Sequence, residues 1–339
     1  MFDEKYIIEV AEKIINCDSP TGFTNNIMRL IEEETSSLGF TMTRTKKGNG
    51  IIEIKGSSHY TIGLSTHVDT LGLMVKAIKS DGTIKFTSLG GTILSSYHGE
   101  YCTIYTRSGK KYTGTILTNS PAAHVYSDAK TIECNEKNMH IRLDNIVYKK
   151  EDTEKLEIKN GDFIAIEPKF TVKNGYIKSR FLDDKISVAM ILTLLKYIKK
   201  ENFIPKYNIN MLISTYEEVG HGMAYIPDNI DELISIDMGC IGEDLECTEE
   251  KVSICAKDAS GPYDYEIVRE LEKLAINNNI PHAVDVYTLY ASDTSAALHG
   301  GNDIKGALIG TGVAASHGME RTHINGVKAT LELLYLYIK

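Results

Sequence analysis

Histidines and carboxylates sit at the ends of apolar runs in this chain. In "STHVDTLGLMV" (65–75), His67 and Asp69 lie two apart after an apolar stretch. In an extended chain both side chains point to one side. An Asp within reach of an imidazole can hold its tautomer and strengthen it as a metal ligand; a strand-end His capped by an Asp is the plainer alternative. "SRFLDDKIS" places Asp183 and Asp184 at the start of a helical pattern, where they could bind an ion or simply cap the helix. "LISTYEEVGHG" puts Glu217 and Glu218 just after an apolar strand, as ligands or as a solvated loop pair. Asp237, in "LISIDMG", is harder to dismiss, because a carboxylate beside a buried strand needs a partner. His323, in "ERTHINGV", opens the last helix. Imidazoles and carboxylates without paired cysteines suit zinc, cobalt or manganese better than calcium or an iron–sulfur cluster.

These residues need a scaffold that gathers them. Asp3 is a plausible cap for a first helix whose apolar face is Ile7, Ile8, Ala11, Ile14 and Ile15. "DSPTGFTN" breaks it, and Thr24 or Asn25 starts a second helix. Segments 49–56 and 61–66 read as strands of a mainly buried sheet. Between about 75 and 170, short β-type runs alternate with Gly, Asp and Asn turns, and 152–170 would close this set. Helical pattern returns at 183–200, 263–279, 292–301 and from 323 onward. Strands are expected at 207–215, 232–239, 282–288 and 306–312. The economical architecture is α/β: a mainly parallel-sheet domain from residues 1–69 and 171–339, with helices on both faces, and a small β-barrel or sandwich inserted at 70–170. In an open α/β sheet, ligands collect outside the carboxyl ends of the strands. His67, Glu217, Glu218 and Asp237 all fall at such ends.

Composition narrows the partners. The 339 residues are 42% hydrophobic, enough for a large core. A formal charge of −9 without a long basic run argues against nucleic acid and anionic membrane surfaces. The six cysteines form no CxxC pair, so reduced thiols in a cytoplasm are expected. The N-terminus lacks a signal-peptide layout, and no apolar run approaches the roughly 20 residues that span a bilayer.

The motifs "THVDTLG", "FLDDK", "YEEVG", "SIDMG", "SDTSAALHGG" and "RTHING", in this order, resemble the M42 metallo-aminopeptidases, the tetrahedral and glutamyl aminopeptidase group of the co-catalytic dimetal peptidases. The resemblance covers essentially the whole chain. It implies two divalent ions per subunit, zinc or cobalt first and manganese third. It implies that Asp183 bridges them, that His67 and Asp237 complete one site, and that Glu218 and His323 complete the other. Glu217 would be the general base, Asp69 the support of His67, and Asp293 an acidic neighbour of the substrate. The inserted domain would mediate dimerisation, with dimers able to build a dodecamer, and the substrates would be short unblocked peptides. With this ligand set complete, His221 and His317 read as surface or supporting histidines. Thr70, Asp184-Lys185, Ile324-Asn325 and "GHGMAY" depart from the usual family pattern. An amidohydrolase or deacylase on the same scaffold is the alternative enzyme, and a non-catalytic binding protein is the alternative outside enzymes.

Overall fold

The computed structural model describes residues 2–339. Helix α1 (Glu4–Ile15) starts at Asp3, whose side chain accepts the Tyr6 amide. Its buried face is Ile7, Val10, Ala11, Ile14 and Ile15. Ile8 is only half-buried, because 3.6 residues per turn rotate it to the flank of that stripe while Val10 falls within it. Helix α2 (Asn25–Ser37) follows Thr24. Strands β1 (Met42–Arg44) and β2 (Gly50–Ile54) then lead to β3 (Thr61–His67), which is buried at every residue.

The chain next builds a separate closed barrel. Its strands are β4 (Gly72–Ile78), β5 (Ile84–Leu89), β6 (Tyr101–Tyr105), β7 (Lys111–Thr118), β8 (Met139–Leu143) and β9 (Phe163–Ile166), in the spatial order β4-β5-β8-β7-β6-β9. Leu73, Val75, Ile84, Phe86, Ile104 and Ile116 fill the interior, as the period of two requires. The segment 152–170 divides its work. Its first residues belong to helix α3 (Lys150–Lys155), acidic in its first turn and basic in its last, and β9 closes the barrel on β4 and β6.

The remaining elements are β10 (Thr171–Lys173), β11 (Tyr176–Ser179), α4 (Leu182–Glu201), β12 (Asn208–Ser214), β13 (Glu232–Cys240), β14 (Val252–Asp258), β15 (Gly261–Pro262), α5 (Tyr265–Asn277), β16 (His282–Val286), α6 (Asp293–His299), β17 (Lys305–Val313), β18 (Glu320–His323) and α7 (Ile324–Ile338). The large sheet runs β1-β2-β12-β3-β13-β17-β14-β15, with β16 beside β14. Its centre, β12-β3-β13-β17, is parallel, and both flanks carry antiparallel pairs. Strand β14 was not expected from the sequence. It packs antiparallel to β17 and parallel to β16.

Met211, Ile213, Ile234 and Ile236 face the core shared with α1, α4 and α7, while Leu212 and Leu233 pack with Ala297 of α6. Helix α4 is buried at every position from Leu182 through Leu195, so past its polar first turn its sequence is mostly apolar rather than striped. Strands β10, β11 and β18 form a small second sheet beside the large one. No helix among the described residues is long and apolar enough to cross a membrane.

Candidate metal centre

Because β12, β3 and β13 run parallel, their carboxyl ends lie together. His67 ends β3, Glu217 and Glu218 follow β12, and Asp237 lies near the end of β13. Asp183 and Asp184 open α4 in non-helical backbone, joined by a cis peptide bond. Two groups of ligand atoms converge here: His67, Asp183 and Glu218, and His67, Asp184 and Asp237.

Asp183 occupies the middle. Its Oδ1 lies 3.1 Å from His67 Nε2, and its Oδ2 lies 3.7 Å from His317 Nε2. His317 Nε2 is also 3.8 Å from Glu218. His67 Nε2 is 3.7 Å from Glu217. Each histidine donates its Nδ1–H to a backbone carbonyl, His67 to Asp69 (2.9 Å) and His317 to Gly91 (2.8 Å). A carbonyl only accepts, so both rings keep Nε2 for the cluster.

The expected support of His67 by Asp69 thus comes from the backbone oxygen. The Asp69 carboxylate lies 3.7 Å from the ring nitrogen and has other partners. It accepts the amides of Glu217 (3.1 Å) and Glu218 (3.3 Å) and the Thr21 hydroxyl (2.7 Å). Glu217 and Glu218 sit in a 3-10 turn, Glu217–Val219, just after β12. Asp69 holds that turn.

His323 is not brought to the cluster. It ends β18, where alternation turns Glu320 and Thr322 inward and Arg321 and His323 outward. Its ring meets Tyr176 edge-on at 4.8 Å, and its Nδ1 accepts the Asn325 amide to cap α7. His317, which the sequence reading set aside, takes the place expected of His323. It reaches inward from a turn in which its own φ is +63°. The motif "SHGMERTH" carries two histidines: the inward one lies in the turn before β18 and the outward one on β18 itself. His221 stays apart, stacked on Tyr216.

Asp293 begins α6, buried behind the cavity wall. Its Oδ1 accepts the Met223 amide at 2.9 Å, and its Oδ2 has no hydrogen-bond partner. Burial pushes its carboxyl up to about 6. The cavity over the cluster is about 270 Å³ and is lined by Asp183, Glu217, Glu218, Asp237, Tyr290 and His317. A larger one of about 660 Å³ shares Tyr290, Leu289 and His317 with it and continues past Ile93, Met238 and Val286.

The electrostatics fit a cation. Burial, and then the charges of neighbouring acids, push Glu217 and Glu218 well above the usual carboxyl range and Asp237 up to about 8. Burial alone would lower His67, yet Asp183, Glu217 and Asp237 raise it well above an ordinary imidazole. Burial works against ionised Asp183 too, but His67 and His317 hold its carboxyl below the usual range. Among the described residues, the only ion-pair partners of Asp183, Glu217 and Glu218 are these two histidines. So many buried carboxyls with so little positive charge form a donor set that a divalent ion would complete.

A pH dependence follows. A carboxyl with a raised folded pKa contributes its stability at low pH, and that contribution is lost as pH climbs from the unfolded value near 4 to the folded one. For Asp237 the window is about pH 4 to 8. The raised His67 acts in the same direction, contributing below its unfolded pKa and losing its effect as pH rises through the folded one. A cation that binds the deprotonated set reverses the trend. The thermal midpoint of metal-loaded protein minus that of chelated protein should therefore widen steadily from pH 5 to pH 8. A constant difference in a pH series of melting curves would contradict this.

Comparison with known proteins agrees with the geometry. The chain matches the M42 glutamyl aminopeptidase family over residues 48–333. It is 44% identical over 336 residues to "Putative aminopeptidase YhfE" of Bacillus subtilis (strain 168), covering 98% of this chain and 97% of that one. The Pyrococcus horikoshii TET1 peptidase superposes with a TM-score of 0.85 at 22% identity, covering 98% and 99% of the two chains. The TET aminopeptidase from a marine-sediment Thaumarchaeota archaeon gives 0.88 at 18% identity, covering 98% and 96%. At such identities these two structures speak for the fold, an α/β domain with an inserted barrel. On the family match and the Bacillus relative, the chain belongs to the M42 glutamyl aminopeptidase family and is a hydrolase of N-terminal peptide bonds.

Proposed function

We propose that this protein is a dimetal aminopeptidase for short unblocked peptides. The observation that carries the reading is Asp183, whose two oxygens face two different histidines. His67 and Asp237 with one Asp183 oxygen would hold one divalent cation; His317 and Glu218 with the other oxygen would hold the second. Zinc or cobalt suits this donor set first and manganese third. When bound, such a pair polarises the scissile carbonyl and acidifies water. Glu217 then takes a proton from the attacking water and passes it to the departing amine as the C–N bond breaks. Its carboxyl lines the cavity over the cluster, where it can reach both the water and the departing amine. Asp69 keeps Glu217 and Glu218 in place through their amides. Asp293 acts through the Met223 amide behind the wall rather than on the substrate.

The acidic cavity accounts for the substrate. A free α-amine is a cation at neutral pH, and the carboxylates around the cluster attract it. The larger adjoining cavity accepts the first side chain, with Ile93, Val286 and Leu289 offering apolar contact. N-acetylating a good peptide substrate should cut turnover by orders of magnitude, read as release of the first residue. Equal rates on blocked peptides would promote the deacylase alternative. No observation favours that alternative now.

The Pyrococcus horikoshii relative is described as assembling into a tetrahedron or a large octahedral shell. By analogy this chain self-associates through its inserted barrel, where Val125, Tyr126, Ile146 and Tyr148 are exposed apolar or aromatic side chains. A dimer is the first expected state and a dodecamer the second. Light scattering at micromolar concentration checks it, and a monomer alone would count against it. A reducing cytoplasm suits the six free cysteines.

A further inference from the structure

Glu320 stands next to the cluster and has no role so far. It is 3% exposed, and it uses its two carboxylate oxygens separately. Oε2 accepts the amide of Asp183 and Oε1 accepts the amide of His317, each at 3.0 Å. One side chain therefore ties the backbone of the residue between the two histidines to the backbone of the second histidine. His317 needs the tie. It lies in a turn where Ala315 (φ +59°) and His317 (φ +63°) both adopt left-handed backbone, which non-glycine residues avoid. Its ring is oriented by the Gly91 carbonyl, on the segment between β5 and β6 of the barrel. Gly91 leaves little room for error, because a Cβ there would come 3.2 Å from His317 Nδ1. The Gly91 contact sets the angle of the ring, and the Glu320 contact sets where the ring stands relative to Asp183.

We infer that Glu320 is a positioning residue that builds the second cation site, by holding His317 against Asp183. The inference rests on the two-cation reading for its metal readout, but its geometric readout does not. Two substitutions separate position from charge. Glu320→Gln keeps the size, yet its amide nitrogen cannot accept an N–H, so one of the two backbone amides loses its acceptor. Glu320→Asp keeps the charge and both oxygens, but it is one methylene too short to span both amides.

The test uses the full-length wild-type protein and both variants, with melting curves to show that each is folded. Zinc ion is titrated into metal-free protein against a chromophoric chelator, and kcat and KM are measured on an unblocked peptide at limiting and excess zinc. Metal-free crystals of all three are compared. Wild type should take two ions. Both variants should keep the first and bind the second about 10- to 100-fold more weakly, the range for losing an outer support of a ligand. Their kcat should fall and recover with excess zinc, while KM stays near wild type. In the metal-free crystals His317 Nε2 should leave its 3.7 Å approach to Asp183. An unmoved His317 with unchanged second-ion affinity would overturn the inference. So would a defect confined to Glu320→Gln, which would mean that Glu320 acts through its charge alone. If wild type binds fewer than two ions, the two-cation reading fails, and the metal-free crystals alone decide: an unmoved His317 in both variants rejects the role of Glu320.

Discussion

Glu217→Gln is expected to lower kcat by about 10²–10⁴-fold, the range for losing general-base catalysis, while both metal equivalents stay bound. The glutamine keeps the shape of the side chain and its place in the turn, because Asp69 holds residue 217 by its backbone amide and not by its carboxylate. KM should change little. Glu218→Gln should behave differently. Glu218 lies toward His317, so a neutral amide there weakens one ion and leaves the base intact. Excess metal should partly rescue Glu218→Gln and should not rescue Glu217→Gln. Metal analysis and single-turnover rates on both proteins read this directly. Loss of a metal from Glu217→Gln, with both retained in Glu218→Gln, would reverse the two roles.

His317→Ala should abolish most activity and leave about one metal equivalent per chain, while His323→Ala should leave both metals and nearly full kcat. The two histidines lie in one short motif, so the contrast is a sharp test of the site. His317 offers Nε2 to Asp183 and Glu218. Removing a ligand should weaken its ion beyond the about 10- to 100-fold that loss of an outer support costs. His323 caps α7 and packs on Tyr176. Its loss should cost stability only, about 1 kcal/mol for the cap and a comparable amount for the ring contact. Elemental analysis, kcat and the thermal midpoint of both variants separate the outcomes. Two tightly bound ions in His317→Ala would return the ligand role to another residue.

The scaffold of the site was legible in the sequence because its signals are local. Apolar runs of strand length ending in His67 or leading to Glu217, and the run containing Asp237, marked the sheet, and the rule about strand ends placed those residues in one crevice. The break in texture after residue 70 marked the barrel. Strand β14 was missed, although it is an apolar run of ordinary length; its partners β16 and β17 are distant in the chain, and pairing is not a local signal.

Details of the site depended on relations that no short window contains. His317 and His323 are alike in type and lie six residues apart. Which one faces the carboxylates is set by the turn before β18, where Ala315 and His317 take left-handed backbone and Glu320 and the Gly91 carbonyl hold His317, while β18 turns His323 away. Two of the partners of Asp69, Glu217 and Glu218, lie nearly 150 residues away, and Glu320 meets Asp183 from the other end of the chain. The Gly91 carbonyl that orients His317 comes from the barrel, which contributes none of the predicted ligands. Residue types and their order along the chain determined the chemistry this protein could attempt. Packing of sheet, barrel and β18 decided which atoms share the crevice, because hydrogen bonds and strand register act through space and not along the sequence.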